Sequence, residues 1–213
     1  MSGQRNSSKR RMGCSRLLDR KCAIMPVNFG IVSADSSSPR AQWPATTRFG
    51  LRPAPRTLAV VEEFLNTRAE PTHDPLADAE RAQEWSTRAA QAWARERGVQ
   101  VQRPELAEGD EARLRDLRAR VGALISGQGI AAADCFDLGV AAFAISVDGE
   151  LCWQPTGHGW LWWSSVICGE VLLSQHMGTW KRLKQCRGDS CRLVFYDRSW
   201  NNSAALHAGR CAE

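Results

Sequence analysis

Between Arg182 and Cys211 the chain reads RLKQCRGDSCRLVFYDRSWNNSAALHAGRC, and the spacing of its thiols and imidazole decides how the C-terminal part is organised. Four residues separate Cys186 from Cys191, fifteen lead on to His207, and three more reach Cys211. A structural zinc ion takes four N or S ligands in a tetrahedron, typically as two close pairs from separate elements. The first pair sits on one tight knuckle. The spacing of the second pair places His207 and Cys211 on one face of a helical turn. Residues 179–213 are too few to bury a sufficient core alone, so the ion supplies much of their folding free energy. Zn2+ is therefore the expected cofactor, with Cys186, Cys191, His207 and Cys211 as ligands. Between the pairs, Arg192 to Asp197 reads as a strand. Ser199 to Ser203 reads as a turn into a last helix with Ser203 as its N-cap. The bland alternative makes the cysteines small hydrophobes and His207 a surface residue. Cys14, Cys22, Cys135, Cys152 and Cys168 lack ligand spacing and read as inert.

Outward from this module the body is mainly helical. Asp78 or the preceding turn caps a helix in which Trp85, Ala89, Ala92 and Trp93 recur at helical spacing, ending at Gly98. A second helix runs from Asp110 to Ser126 and stops at Gly127. Its apolar stripe is Leu114, Leu117, Val121, Leu124 and Ile125, with Arg113, Arg115, Arg118 and Arg120 largely on other faces. Asp148-Gly149 between two apolar runs, Ala142 to Val147 and Glu150 to Gln154, predicts a β-hairpin. Trp160 to Ser174 predicts a helix with Val166, Leu172 and Leu173 in the core. Leu58 to Leu65 is a strand or a short helix, and Glu62-Glu63 argues against a strand buried on both faces. Order is expected from near Arg48. Residues 1–45 are polar and aperiodic, and read as a disordered basic arm or a start-site artefact. The fold class is α+β: a mainly helical body with a β-hairpin over residues 46–178, then a small zinc finger over residues 179–213.

Composition bounds the class. The chain has 213 residues and 43% hydrophobic content, enough for a real core. No apolar run is long enough to span a bilayer and no secretory signal is present, so a cytoplasmic setting with no membrane partner is expected. The net charge of +5 is uneven: +6 over residues 1–45, −5 over 46–178 and +4 over 179–213. Basic ends on an acidic body favour a polyanion, with solubility as the plain alternative. Lys181, Arg182, Lys184, Arg187, Arg192 and Arg198 cluster within the module and are the candidate nucleic-acid-binding residues. Trp180, Tyr196 and Trp200 lie among them and can stack, wedge or pack.

The stretch Arg182-Leu-Lys-Gln-Cys186-x4-Cys191-x3-Phe195-Tyr-Asp-Arg-Ser199-x-Asn201-x-Ser203 resembles the CGNR zinc-finger family of bacterial proteins. Leu58 to Arg68, ending Phe64-Leu65-Asn66-Thr67-Arg68, is similar to the opening motif of the ABATE domain carried by that family. Leu76-Ala-Asp and Trp85 fit it too. The likeness covers roughly residues 48–210 and implies a zinc-dependent, DNA-binding transcriptional regulator linked to stress response. Two departures stand out. His207 occupies the place of the family's third cysteine with Cys211 one residue early, and the Gly-Asn-Arg triplet with its basic tail is absent. Either a Cys3His site results, or residues 204–213 are a frameshifted or truncated end with a crippled site.

Asn66 and Arg68 end an apolar run, where binding residues often sit; capping is the alternative. Trp153, Trp160, Trp162, Trp163 and His158 line a ligand pocket in a small-molecule sensor, or form a core cluster. No nucleophile elbow, P-loop, dinucleotide-binding or His-Glu-x-x-His motif occurs, so an enzyme is not expected. A protein–protein adaptor built on the zinc module is the remaining class.

Overall fold

A computed structural model of the chain describes residues 43–127, 138–145, 149, 151–207 and 211. At its centre lies α2 (Leu58–Asn66), in which all nine residues are buried, Glu62, Glu63 and Asn66 on its polar side included. Burial on every side marks a helix enclosed by other elements, and its polar side needs internal partners. α1 (Pro44–Thr47), α3 (Ala79–Arg97), α4 (Asp110–Ser126) and α5 (Gly159–His176) pack against it or against one another around it. Two antiparallel hairpins complete the fold. β1 (Ala141–Ile145) pairs with β2 (Leu151–Pro155), Ile145 facing Leu151 and Ala141 facing Pro155. β3 (Leu183–Gln185) pairs with β4 (Val194–Tyr196), Gln185 facing Val194. The fold is thus a mainly helical body with two small hairpins and a C-terminal Cys/His cluster. No helix of the described residues is long and apolar enough to cross a membrane.

The open choice at Leu58 to Leu65 resolves to helix because both glutamates find backbone donors. Glu63 accepts the Ala45 and Thr46 N–H groups at 2.8 and 2.9 Å, holding the first turn of α1. Glu62 accepts the N–H groups of Ala54 and of Tyr196 in β4. Burial nonetheless pushes both carboxyls up to about 7, the backbone hydrogen bonds pulling the other way. α1 is held in this way and Trp43 is buried, so residues 43–47, ahead of the expected Arg48, belong to the folded body. The rest of the N-terminal arm, residues 1–42, lies outside the described residues.

α3 and α4 keep their expected limits. The Asp78 carboxylate accepts the Arg81 N–H at 2.9 Å, and Gly98 at φ 69° ends α3. Gly127 at φ 68° ends α4. Trp85, Trp93, Trp162 and Trp163 interlock in the core, Trp85 on Trp163 at 4.7 Å and Trp162 edge-on to Trp163 at 5.1 Å. Gly169 of α5 is where Trp153 lies, since a Cβ there would stand 2.5 Å from its ring. These tryptophans form a core cluster; His158 is exposed at the start of α5.

Three expectations about facing are corrected. Arg118 shares the inner face of α4 with Leu114 and Val121 and is buried, paired with both Asp74 oxygens at 2.8 and 2.7 Å and with Thr67. Leu124, at the end of that helix, is 37% exposed. Leu172 is 65% exposed, because α5 turns Trp163, Val166, Ile167 and Val171 inward instead. The hairpin stands as read, although Asp148 lies outside the described residues; Gly149 adopts φ 81°.

Candidate metal centre

The short β3–β4 hairpin carries the knuckle. Cys186 follows β3 directly, with its N–H bonded to Leu193 O at 2.8 Å, and Cys191 N–H closes the turn on Gly188 O at 3.0 Å. Ser190 takes a left-handed φ of 59° to make the turn. Gly188 donates its N–H to Cys186 Sγ at 3.4 Å. A Cβ on Gly188 would lie 2.9 Å from Cys211 Sγ and 3.5 Å from Cys186 Sγ, so only glycine lets the chain pass this close.

Arg187 N–H bonds Ala205 O at 3.0 Å, and this contact brings the following segment back over the knuckle. There Cys186, Cys191, His207 and Cys211 place one ligand atom each within 4.8 Å of one another. Cys191 Sγ lies 3.8 Å from His207 Nδ1. A zinc tetrahedron with bonds near 2.0–2.3 Å has ligand–ligand edges of about 3.5–3.8 Å, so the donor set fits with a small contraction. Cys186 and His207 are buried, and Cys191 and Cys211 half-buried. Burial opposes the Cys186 thiolate, but hydrogen bonds from Gly188 and His207 bring its pKa down to about 7. Burial pushes Cys191 up to about 11, reinforced by the sulfurs of Cys211 and Cys186. Three sulfurs this close ionise together only around a cation. The cluster can therefore hold a metal such as zinc in a Cys3His, zinc-finger-type site. The ion would supply a closed tetrahedral crosslink between knuckle and C-terminal segment.

The expected last helix is not seen over residues 203–207, and residues 208–210 lie outside the described residues. Ser203 does not act as an N-cap; its hydroxyl donates to Asn201 Oδ1. The reason is Asp197, buried beneath the loop. It accepts Ser199 N–H at 2.8 Å, Ala204 N–H at 2.9 Å and Lys184 Nζ at 2.7 Å. These hold residues 197–204 as a looped segment. Burial opposes the Asp197 carboxylate, but the Lys184 ammonium and the loop donors hold its pKa well below the usual range.

The six candidate nucleic-acid-binding cations divide. Lys184 also donates to Asn202 O and Ala204 O, and Arg182 donates to Asp197 O and Ser199 O, so these two hold the loop. Arg198 is exposed but donates to Pro53 O and lies over the Tyr196 ring. Lys181, Arg187 and Arg192 are exposed. Trp200 is 98% exposed.

Asn66 and Arg68 both reach toward the C-terminal segment. Asn66 is buried, with its carboxamide bonded to both backbone groups of Val194. Arg68 is half-buried, donates to Gln185 Oε1 at 3.3 Å, and lies against Gly122, whose missing side chain leaves room for the guanidinium. The side chains of Glu62 and Asn66 thus bind the edge of β4 that β3 leaves open. Leu183 and Val194 join the same buried cluster as the helices. Sequence reasoning missed the roles of Gly188, Asp197 and Lys184. The only signal was an acid inside a run of cations.

No family model, no curated protein and no solved structure matches the chain.

Proposed function

We propose that the chain is a zinc-dependent, DNA-binding transcriptional regulator of the CGNR type that works in the cytoplasm, contacting duplex DNA through residues 179–213. The charge around the metal cluster carries this reading. Lys181, Arg187, Arg192 and Arg198 are exposed there, while Asp189 is the one exposed acid among the described residues of the segment and Asp197 is buried. Such a surface neutralises several phosphates and gives an affinity that falls with salt. Trp200, free of packing, is available to stack or wedge. The Cys186-x4-Cys191 pair, the Phe195-to-Ser203 stretch and the Leu58-to-Arg68 motif support the CGNR and ABATE assignment, and the stress-linked role rests on that resemblance. Four protein ligands leave no open coordination position, which supports a structural ion and a binding protein, not an enzyme.

Gel shift with zinc-loaded protein tests the reading. Retarded duplex at low salt, released as salt rises, is expected; no binding to any duplex at low salt contradicts it. A second reading has an observation of its own. Phe143, Ile145 and Leu151 on the β1–β2 hairpin are each at least 70% exposed, which favours a protein-binding adaptor. That reading predicts zinc without salt-dependent DNA affinity.

A further inference from the structure

Between the C-terminal end of α4 and the metal-bearing segment opens a cleft of about 770 Å3. This lies within the range of small-molecule sites, about 300–1,000 Å3. Leu124, Ile125 and Trp180 give part of it an apolar lining, with Leu183 buried behind them. Leu124 is the residue that left the inner stripe of α4, and in the cleft it has an apolar setting.

The polar side of the lining is cationic. Lys181, Lys184 and Arg187 contribute to it beside the neutral Ser126, Gln185, Asn202 and Ser203, and among the described residues no Asp or Glu does. Lys184 is committed to Asp197 and the loop carbonyls. Lys181 and Arg187 are exposed, and among the described residues their side chains make no hydrogen bond or ion pair. Apolar residues beside two uncommitted cations, with no carboxylate among the described lining residues, select an anion with an apolar body. A free inorganic anion leaves the apolar walls unused, and a neutral hydrocarbon leaves the cations unused.

We infer that this cleft is a binding site for a small organic anion, an aryl or alkyl carboxylate, seated on Leu124, Ile125 and Trp180 with its charge on Lys181 and Arg187. The site shares Lys181 and Arg187 with the surface proposed to meet DNA phosphates and differs from it in needing apolar contact as well as charge. Cys186 also lines it, so an occupant touches the metal knuckle and α4 together. That position suits an effector that fixes the metal-bearing segment on the helical body.

The test is calorimetric titration of the full-length, zinc-loaded protein with 1-naphthoate and with its neutral counterpart 1-naphthamide. Naphthoate is expected to bind one saturable site, more tightly than naphthamide. The Lys181→Ala/Arg187→Ala double variant, at two exposed positions, weakens naphthoate about three- to tenfold and removes the preference over naphthamide. Leu124→Glu abolishes binding, whereas Phe143→Ser on the exposed hairpin leaves it unchanged. Equal affinity for the two probes, unchanged affinity in the double variant, loss of binding in Phe143→Ser, or no saturable binding at millimolar naphthoate would each overturn the inference. DNA affinity measured on the same preparation is a separate readout, so either result stands without the other.

Discussion

Asn66 and Val194, 128 positions apart, are joined by two hydrogen bonds: the Asn66 carboxamide donates to Val194 O at 2.9 Å and accepts from Val194 N–H at 2.8 Å. A helix side chain here does what a neighbouring strand would do for β4. Asn66→Ala leaves both backbone groups buried and unpaired, which costs about 2–4 kcal/mol. Urea unfolding with zinc in excess checks this. A change below about 0.5 kcal/mol, the scale of a surface substitution, contradicts it.

Gly188 is the second position where a single methyl group decides. Its Cβ would press on Cys211 at 2.9 Å from the sulfur. Gly188→Ala should lower zinc affinity by about tenfold or more, as changes beside metal ligands do, while the helical signal persists. Competition against a chromogenic chelator measures the affinity; equal values for variant and parent contradict the close approach.

How far the sequence was legible depends on whether local chemistry fixed the element. α3 and α4 could be read because their caps and stops, Asp78, Gly98 and Gly127, lie within the helices' own sequence. The cysteine and histidine spacing likewise led to the cluster. α2 was ambiguous because its two glutamates are satisfied by Ala45, Thr46, Ala54 and Tyr196, partners remote in sequence. Arg118 was misplaced for a similar reason, its counter-charge being Asp74, and the hold of Arg182 and Lys184 on the Asp197 loop was not legible because it too depends on tertiary contacts. No helix forms over residues 203–207, where tertiary hydrogen bonds to Asp197 replace local ones at Ser199 and Ala204.

Glu63 gives a pH dependence of known sign. Burial raises its folded pKa from the ordinary 4.5 to about 7, so the folded state binds more protons than the unfolded state between those values. Its contribution is greatest below the unfolded value and is lost as pH rises through about 7. Glu63→Gln removes this component. Relative to the parent, the variant should therefore gain more than about 1 kcal/mol of stability between pH 5 and pH 7.5. Denaturant melts at both pH values test it, and a constant difference contradicts it.

Lys184 and Arg192 should separate fold from binding. Lys184→Met leaves the Asp197 carboxylate without its ammonium partner and costs about 2–3 kcal/mol of stability. Arg192→Ala, at an exposed position, should leave stability within about 0.5 kcal/mol and reduce the slope of log affinity against log salt for duplex DNA by about 0.9. Thermal melts and salt-titrated fluorescence anisotropy measure the two effects. Loss of stability in Arg192→Ala, or none in Lys184→Met, contradicts the division.

The Cys3His centre is tested most directly by counting zinc. Protein purified without added chelator should carry about one zinc ion per chain, and Cys186→Ser, handled identically, should carry far less. Equal zinc in the two proteins would contradict a metal site at Cys186, Cys191, His207 and Cys211.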